Sequence, residues 1–346
     1  MKPDWKQFLI NHGAEFNADT DELQHFGNPD RERRMPPQGA ILCDLSHIGM
    51  ISANGADAQS FLQGQLSSDL AEVTGERAQF SSYSSPKGRA ITTFQITKRQ
   101  DTYYLSLSAD VLEAVLKRLR MFVMRSQVTL EDASDSLVHF GYADPRGEQR
   151  LGDIIGPVPQ QALDVVEYGN LTLIRRPASV PRFEIMGELD EAKVLWNKLD
   201  VHATGVGRGA WDYFDIEAGL PHVTAGSMEA WVPQMMNLHL INAISFSKGC
   251  FPGQEVVARL KYLGKNKRQL YRIAIDSFAL PTVGARINDE KDSEAGQILN
   301  ASLNPDGKAE ALAVMKIASV NGKLTLDGKA VRLLALPYAV DQEDDA

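Results

Sequence analysis

Apolar and polar residues alternate over residues 80–83 and 90–97, and Pro86-Lys87-Gly88 lies between the two runs. A period of two on either side of a turn predicts a β-hairpin. Short, largely apolar runs at 40–45, 48–53 and 103–107 predict buried strands, the second ended by Asn54-Gly55. Residues 127–130 predict another strand. Val111, Val115 and Leu119 recur at helical spacing, which predicts an amphipathic helix over 111–121. Asp57 is placed to cap a helix that carries Ala58, Phe61 and Leu62. A similar order returns further on. Strands are predicted at 171–174 and 183–186, then a helix over 189–199 with Ala192, Leu195, Trp196 and Leu199 inward. Strand–helix–strand units used twice predict two α+β subdomains of ferredoxin-like kind.

After Lys267 the pattern changes. Short apolar segments at 270–275, 311–316, 323–326 and 331–334 alternate with turns such as Asn304-Pro305-Asp306-Gly307, Asn321-Gly322 and Asp327-Gly328. Short strands with Asx-Gly turns predict a small antiparallel barrel. Residues 1–38 are polar and contain Arg31-Glu32-Arg33-Arg34 and Pro36-Pro37. They predict one short helix near 5–10 and then a loosely ordered lead-in. The division expected is 1–38 lead-in, 39–265 α+β region and 266–340 barrel. Gly205-Val206-Gly207-Arg208-Gly209 does not complete a dinucleotide fingerprint, and no strand–helix context is expected around it. Residues 211–219 predict a helix, and the acidic tail 341–346 is expected to fray.

Composition narrows the class. The chain has 346 residues, 43% hydrophobic and 23% charged, as in an ordinary globular protein of two or three domains. A net charge of -9 argues against an overall surface that recruits nucleic acid or anionic membrane, so such contacts need a local basic patch. Two distant cysteines form no disulfide framework and no paired metal-ligand spacing. A reducing, cytoplasmic setting is expected, with no signal segment and no membrane span.

The chemistry concentrates at Cys250. Lys248 precedes it by two residues, and Pro252-Gly253 makes a turn into a helix opening at Gln254. A thiol beside a cation and ahead of a helix N-terminus is expected to be activated. Against this stands the commoner role of a lone cysteine as a small buried hydrophobe. One thiol cannot hold an iron–sulfur cluster alone, but it can donate one ligand, relay a thiol reaction or sense oxidation.

The run from Lys248 to Glu255, KGCFPGQE, resembles the signature K-G-C-[FY]-x-G-Q-E of the YgfZ family. These are folate-binding proteins linked to tRNA modification and iron–sulfur enzyme maintenance. Residues 62–69 (LQGQLSSD), 85–89 (SPKGR), 216–219 (IEAG) and 336–338 (LPY) fall in the family's order. The resemblance extends from about Ala40 to the C-terminus, and the family is related to the glycine-cleavage T-protein, a tetrahydrofolate-dependent aminomethyltransferase. It implies a T-protein-like ring of two interleaved ferredoxin-like α+β subdomains plus a C-terminal antiparallel β-barrel, around a folate-sized opening. It also implies tetrahydrofolate or a derivative as ligand, and iron–sulfur or tRNA-modifying enzymes as partners.

By the same resemblance Trp211 and Glu217 are the folate contacts. A tryptophan stacks on a flat pterin and a carboxylate pairs with its N–H edge. Taken alone, each is equally a core aromatic and a surface acid. A second tryptophan of some family members falls near Ile48 here. The Asp-Asp pair of the aminomethyltransferases falls in Ala90-Ile91-Thr92-Thr93-Phe94, and threonine offers no carboxylate. The resemblance therefore implies an accessory folate-binding protein. A tetrahydrofolate-dependent one-carbon transferase and an RNA-binding module are the alternatives. For the last, Arg259, Lys261, Lys265, Lys267, Arg268 and Arg272 form a basic run without an intervening acid, suited to weak tRNA contact or a solvated surface.

Overall fold

A computed structural model describes residues 1–340, and the acidic tail lies outside the described residues. Two antiparallel-rich sheets, a barrel and a two-stranded ribbon of Glu15–Phe16 with Leu23–His25 carry the strands of the described residues. The first sheet has the order Gln79–Ser84, Ala90–Arg99, Thr102–Ser108, Ile48–Asn54, Thr129–Asp132. The Ala109–Arg120 helix covers it, with Val111, Val115 and Leu119 turned into its core as their spacing predicts. The second sheet has the order Val165–Tyr168, Leu171–Arg176, Arg182–Gly187, Val138–Ala143, Ile41–Asp44, Thr204–Val206. Its Ile41–Asp44 strand precedes every strand of the first sheet in the chain. The chain thus starts the second sheet, leaves to build the first and returns, so the two units are interleaved.

Six strands close the barrel in the order Arg268–Ile275, Ala309–Lys316, Glu294–Leu303, Arg286–Asn288, Leu324–Leu326, Lys329–Leu334. Closure comes from Arg268–Ile275, which pairs with Ala309–Lys316 on one edge and Lys329–Leu334 on the other. Ile273, Ile298, Ala313 and Met315 fill the interior. The sequence pattern did not predict Glu294–Leu303, because a register shift between Ile298 and Asn300 interrupts its alternation.

Three expectations are corrected. The lead-in is packed, not loose. Trp5 is 1% exposed, donates from Nε1 to Asp44 Oδ1 at 2.8 Å and meets Trp196 edge-on at 5.4 Å. The buried Glu32 accepts from the Phe26, Asn28 and Gly207 amides, tying the lead-in to the glycine-rich segment. That segment does have a strand–helix context: Thr204–Val206 is followed by the Arg208–Glu217 helix. A Cβ at Gly207 would stand 2.0 Å from the Gln24 carbonyl oxygen, so this glycine admits the lead-in, not a dinucleotide. Finally, the strand expected at 127–130 is Thr129–Asp132, and the central Val138–Ala143 strand carries Gly141 because the Trp211 ring lies on it.

Candidate functional site: a central cavity lined by both sheets and the barrel

The signature segments meet in pairs. Lys248 Nζ donates to the carbonyls of Gln63, Leu66 and Ser68 at 2.6, 2.7 and 2.8 Å. Gln63 and Leu66 lie at the end of the Ala58–Gln65 helix, whose last carbonyls lack intrahelical partners and carry the negative end of its dipole. An ammonium with three donors satisfies them. Burial pushes its pKa down to about 8, opposed by nearby Asp69. Lys248 is therefore a clamp between segments, and all three of its protons point at main-chain oxygens.

Gly253, in the left-handed conformation with φ 80°, opens the Gln254–Tyr262 helix and packs on the Ser85–Gly88 turn. Tyr338 Oη donates to the Gly219 carbonyl at 2.8 Å, joining LPY to IEAG. Cys250 sits between the Lys248 and Gly253 junctions and is exposed. It lines neither of the two cavities described for the chain.

The central cavity, about 210 Å³, draws on every part of the fold. Phe80, Thr93, Phe94 and Gln95 come from the first sheet, and Arg176 and Glu184 from the second. Asp212, Asp215 and Ile216 come from the Arg208–Glu217 helix, and Asn300 and Ala301 from the barrel. Ile48 and His47 are also on its wall. Burial lowers the His47 imidazole to about 4, against the pull of Asp212 3.9 Å away.

One wall is a buried ion cluster. Asp215 Oδ1 accepts from Arg182 at 2.8 Å and from Arg176 at 3.1 Å, and its Oδ2 stands 2.9 Å from His222 Nε2. Glu184 accepts from Gln95 at 2.9 Å, lies 2.8 Å from His139 Nε2 and 3.6 Å from Arg176. Burial pushes both carboxyls up, but the facing cations win. Glu184 is held at about 2, and Asp215 well below the usual carboxylate range. Both are anions in any ordinary buffer, so this wall offers fixed charges and hydrogen bonds, not carboxylic acids. The Arg176 Nε is buried with no hydrogen-bond partner, a donor left over beside the cavity.

Trp211 is not on that wall. It is 1% exposed within a core cluster of Ile41, Cys43, Val206 and Phe214, and the Arg182 guanidinium stands 3.9 Å over its ring. A Cβ at Gly141 would approach the ring to 2.3 Å. The stacking face expected for a pterin is taken by protein, and the ring instead supports the arginine that holds Asp215. Glu217 is also off the wall and accepts from Ser179 Oγ at 2.6 Å. The carboxylates lining the cavity are Glu184 of the second sheet and Asp212 and Asp215, on other positions of the same helix. Sequence reasoning missed Asp215, Arg176, Arg182, Glu184 and His222. Charged residues inside the apolar Leu171–Arg176 and Arg182–Gly187 strands were the available signal, since buried strand charges require partners.

The basic run divides. Arg268 pairs with Glu294 at 3.0 Å and Arg272 with Glu310 at 2.7 Å, so these two are structural. Arg259, Lys261, Lys265 and Lys267 are exposed beside Tyr262 and Leu263, which are 65% and 85% exposed. Lys261 Nζ stands 3.6 Å over the Phe246 ring. Among the described residues no group of three or more His, Cys, Asp or Glu side chains is arranged to hold a metal ion, and no helix is long and apolar enough to cross a membrane.

The architecture is similar to that of a solved structure. The glycine cleavage system aminomethyltransferase T from Bartonella henselae superposes with a TM-score of 0.72 over 96% of each chain, at 19% identity. Heterotetrameric sarcosine oxidase from Corynebacterium sp. U-96 matches 50% of this chain and 90% of its own with a TM-score of 0.36 at 12% identity. The family model described as GCVT N-terminal domain matches residues 12–247. That match spans both sheets and most of the cavity wall, and the chain belongs to the GCVT N-terminal domain family.

Proposed function

We propose that the chain binds a reduced folate with its pterin ring in the central cavity. The observation that carries this reading is the cavity's composition. Phe80, Phe94, Ile216 and Leu220 supply apolar faces, while Thr93, Gln95, Asp212, Asp215 and Arg176 supply polar edges. A flat heteroaromatic with donor and acceptor edges fits such a lining. About 210 Å³ is below the roughly 300 Å³ of sites that enclose a whole drug-sized ligand, which suits the bicyclic ring rather than the entire folate. A titration of the protein with tetrahydrofolate by calorimetry tests this, with Ala301→Trp as the occluding variant on the barrel wall. Saturable binding that weakens at least tenfold in the variant supports the assignment. Equal affinity in both proteins moves the ligand elsewhere.

The KGCFPGQE signature and its companion segments favour the YgfZ-type accessory role over glycine cleavage, in support of iron–sulfur enzymes and tRNA modification. Thr93 adds weight: its hydroxyl is engaged with the Pro221 carbonyl and the Val223 amide, each at 3.2 Å, and presents no carboxylate to a ligand. Cys250 then acts outward, on a partner protein or its cluster, because it is exposed and lines neither cavity. Cys250→Ser retains tetrahydrofolate binding and fails to support the partner enzymes. A second reading, contact with tRNA, is favoured by exposed Arg259, Lys261, Lys265 and Lys267, none of which is in a salt bridge among the described residues. Steep loss of tRNA binding with salt checks it.

A further inference from the structure

His222 is fixed from both sides. Its amide donates to Asn300 Oδ1 and its carbonyl accepts from Asn300 Nδ2, each at 2.9 Å. The residues before and after it, Pro221 and Val223, are both held by the Thr93 hydroxyl. Asn300 belongs to the barrel and Thr93 to the first sheet, so two units of the fold agree on where this one residue goes. Its ring lines the cavity with 42% of the side chain exposed.

The ring's orientation is also fixed. Nε2 lies 2.9 Å from Asp215 Oδ2, and Asp215 receives two guanidinium groups on its other oxygen. A carboxylate so paired stays ionised and can only accept. Nε2 therefore carries the proton, and in the neutral imidazole Nδ1 is left as a lone-pair acceptor. A reduced pterin presents chiefly N–H donors along its edge, and an acceptor is what it requires.

We propose that His222, oriented by Asp215, is the cavity's hydrogen-bond acceptor for a ligand N–H, and that ligand binding requires its imidazole to be neutral. This rests on the folate reading above. A proton on Nδ1 replaces the lone pair with a second donor, which faces the ligand's donors and opposes binding. The charged and titratable groups around the ring come from each element that packs there. They are Arg208, Asp212 and Asp215 on the helix, Arg176, Arg182 and Glu184 on the second sheet, and His47 just ahead of the Ile48–Asn54 strand. Burial holds the His47 imidazole down to about 4, and facing cations hold Glu184 at about 2 and Asp215 well below the usual carboxylate range; an imidazole is the side chain whose ordinary charge change falls between pH 5 and 8.

The test is a calorimetric titration with tetrahydrofolate from pH 5.5 to 8, under anaerobic conditions, for the whole chain and for His222→Gln. Glutamine keeps an acceptor oxygen but does not titrate. The wild-type affinity is expected to fall by up to about tenfold per pH unit below the imidazole midpoint, and that of the variant to stay flat. Equal pH dependence in both overturns the role of His222 and leaves the folate reading standing. No saturable heat from either protein at any pH removes the folate reading and this role with it. The His222 ring resonance in the wild type gives a second readout independent of the variant's folding. Its titration midpoint should drop by at least one pH unit when tetrahydrofolate is added, and an unmoved midpoint also overturns the proposal.

Discussion

A Cβ at Gly253 would stand 2.7 Å from Gly88 Cα and 2.6 Å from the Ser85 carbonyl oxygen. Gly88 in turn has φ 70°, and a Cβ there would press on Val256. Two turns from segments far apart in sequence thus meet glycine to glycine. Gly253→Ala has both an unfavourable left-handed backbone and a backbone clash, and is expected to destabilise the chain by about 2 kcal/mol or more. Chemical denaturation checks this, and Gly88→Ala should not add fully to it because the sites touch.

Lys248→Met removes the donor from three main-chain oxygens. Leaving buried carbonyls unpaired costs about 1–3 kcal/mol for the first alone, so a loss of about 3 kcal/mol is expected for the set. The rate of Cys250 modification by an aromatic disulfide reagent should change less than twofold in native buffer. A large drop in that rate with unchanged stability would restore the lysine to a role at the thiol.

Trp211→Ala is expected to cost about 3–5 kcal/mol, the range for deleting a buried aromatic ring, since the ring packs on Gly141 and beneath Arg182. The resemblance alone predicts a variant with normal stability and weakened folate binding. Thermal unfolding separates the two outcomes.

Acid stability should follow Glu184. Its folded pKa of about 2 lies below the ordinary 4.5, so the ionised form favours the folded state. The stabilisation is present above pH 4.5 and is lost as pH falls toward 2, amounting to on the order of 3 kcal/mol for a shift of this size. Asp215, also depressed, acts in the same direction. Glu184→Gln should flatten the dependence between pH 4.5 and 2, measured by denaturant midpoints. An unchanged slope would place the acid sensitivity elsewhere.

Local pattern made much of the fold legible. Alternation marked the 80–97 hairpin, helical spacing marked Ala109–Arg120 and Leu189–Asp200, and Asx-Gly turns marked the barrel. These signals survive because each reports one buried face. Val138–Ala143 escaped because His139 and Gly141 make sense only through Glu184 and the Trp211 ring, which come from remote segments. The signature segments were legible as signatures, yet their pairing was not: Lys248 on Leu66, Gly253 on Gly88 and Tyr338 on Gly219 are contacts between distant residues.

By itself the sequence determined the α+β plan, the C-terminal barrel and the motif spacing, since periodicity and turn chemistry act between near neighbours. Tertiary structure decided which carboxylate meets the cavity. Trp211, Asp215 and Glu217 share one helix within two turns, and their order in the chain cannot say which faces inward. Packing against Gly141 buried the tryptophan, Ser179 took the glutamate, and two arginines with His222 drew Asp215 to the cavity wall. That choice depends on partners brought from three other strands and loops, and only the closed fold brings them together.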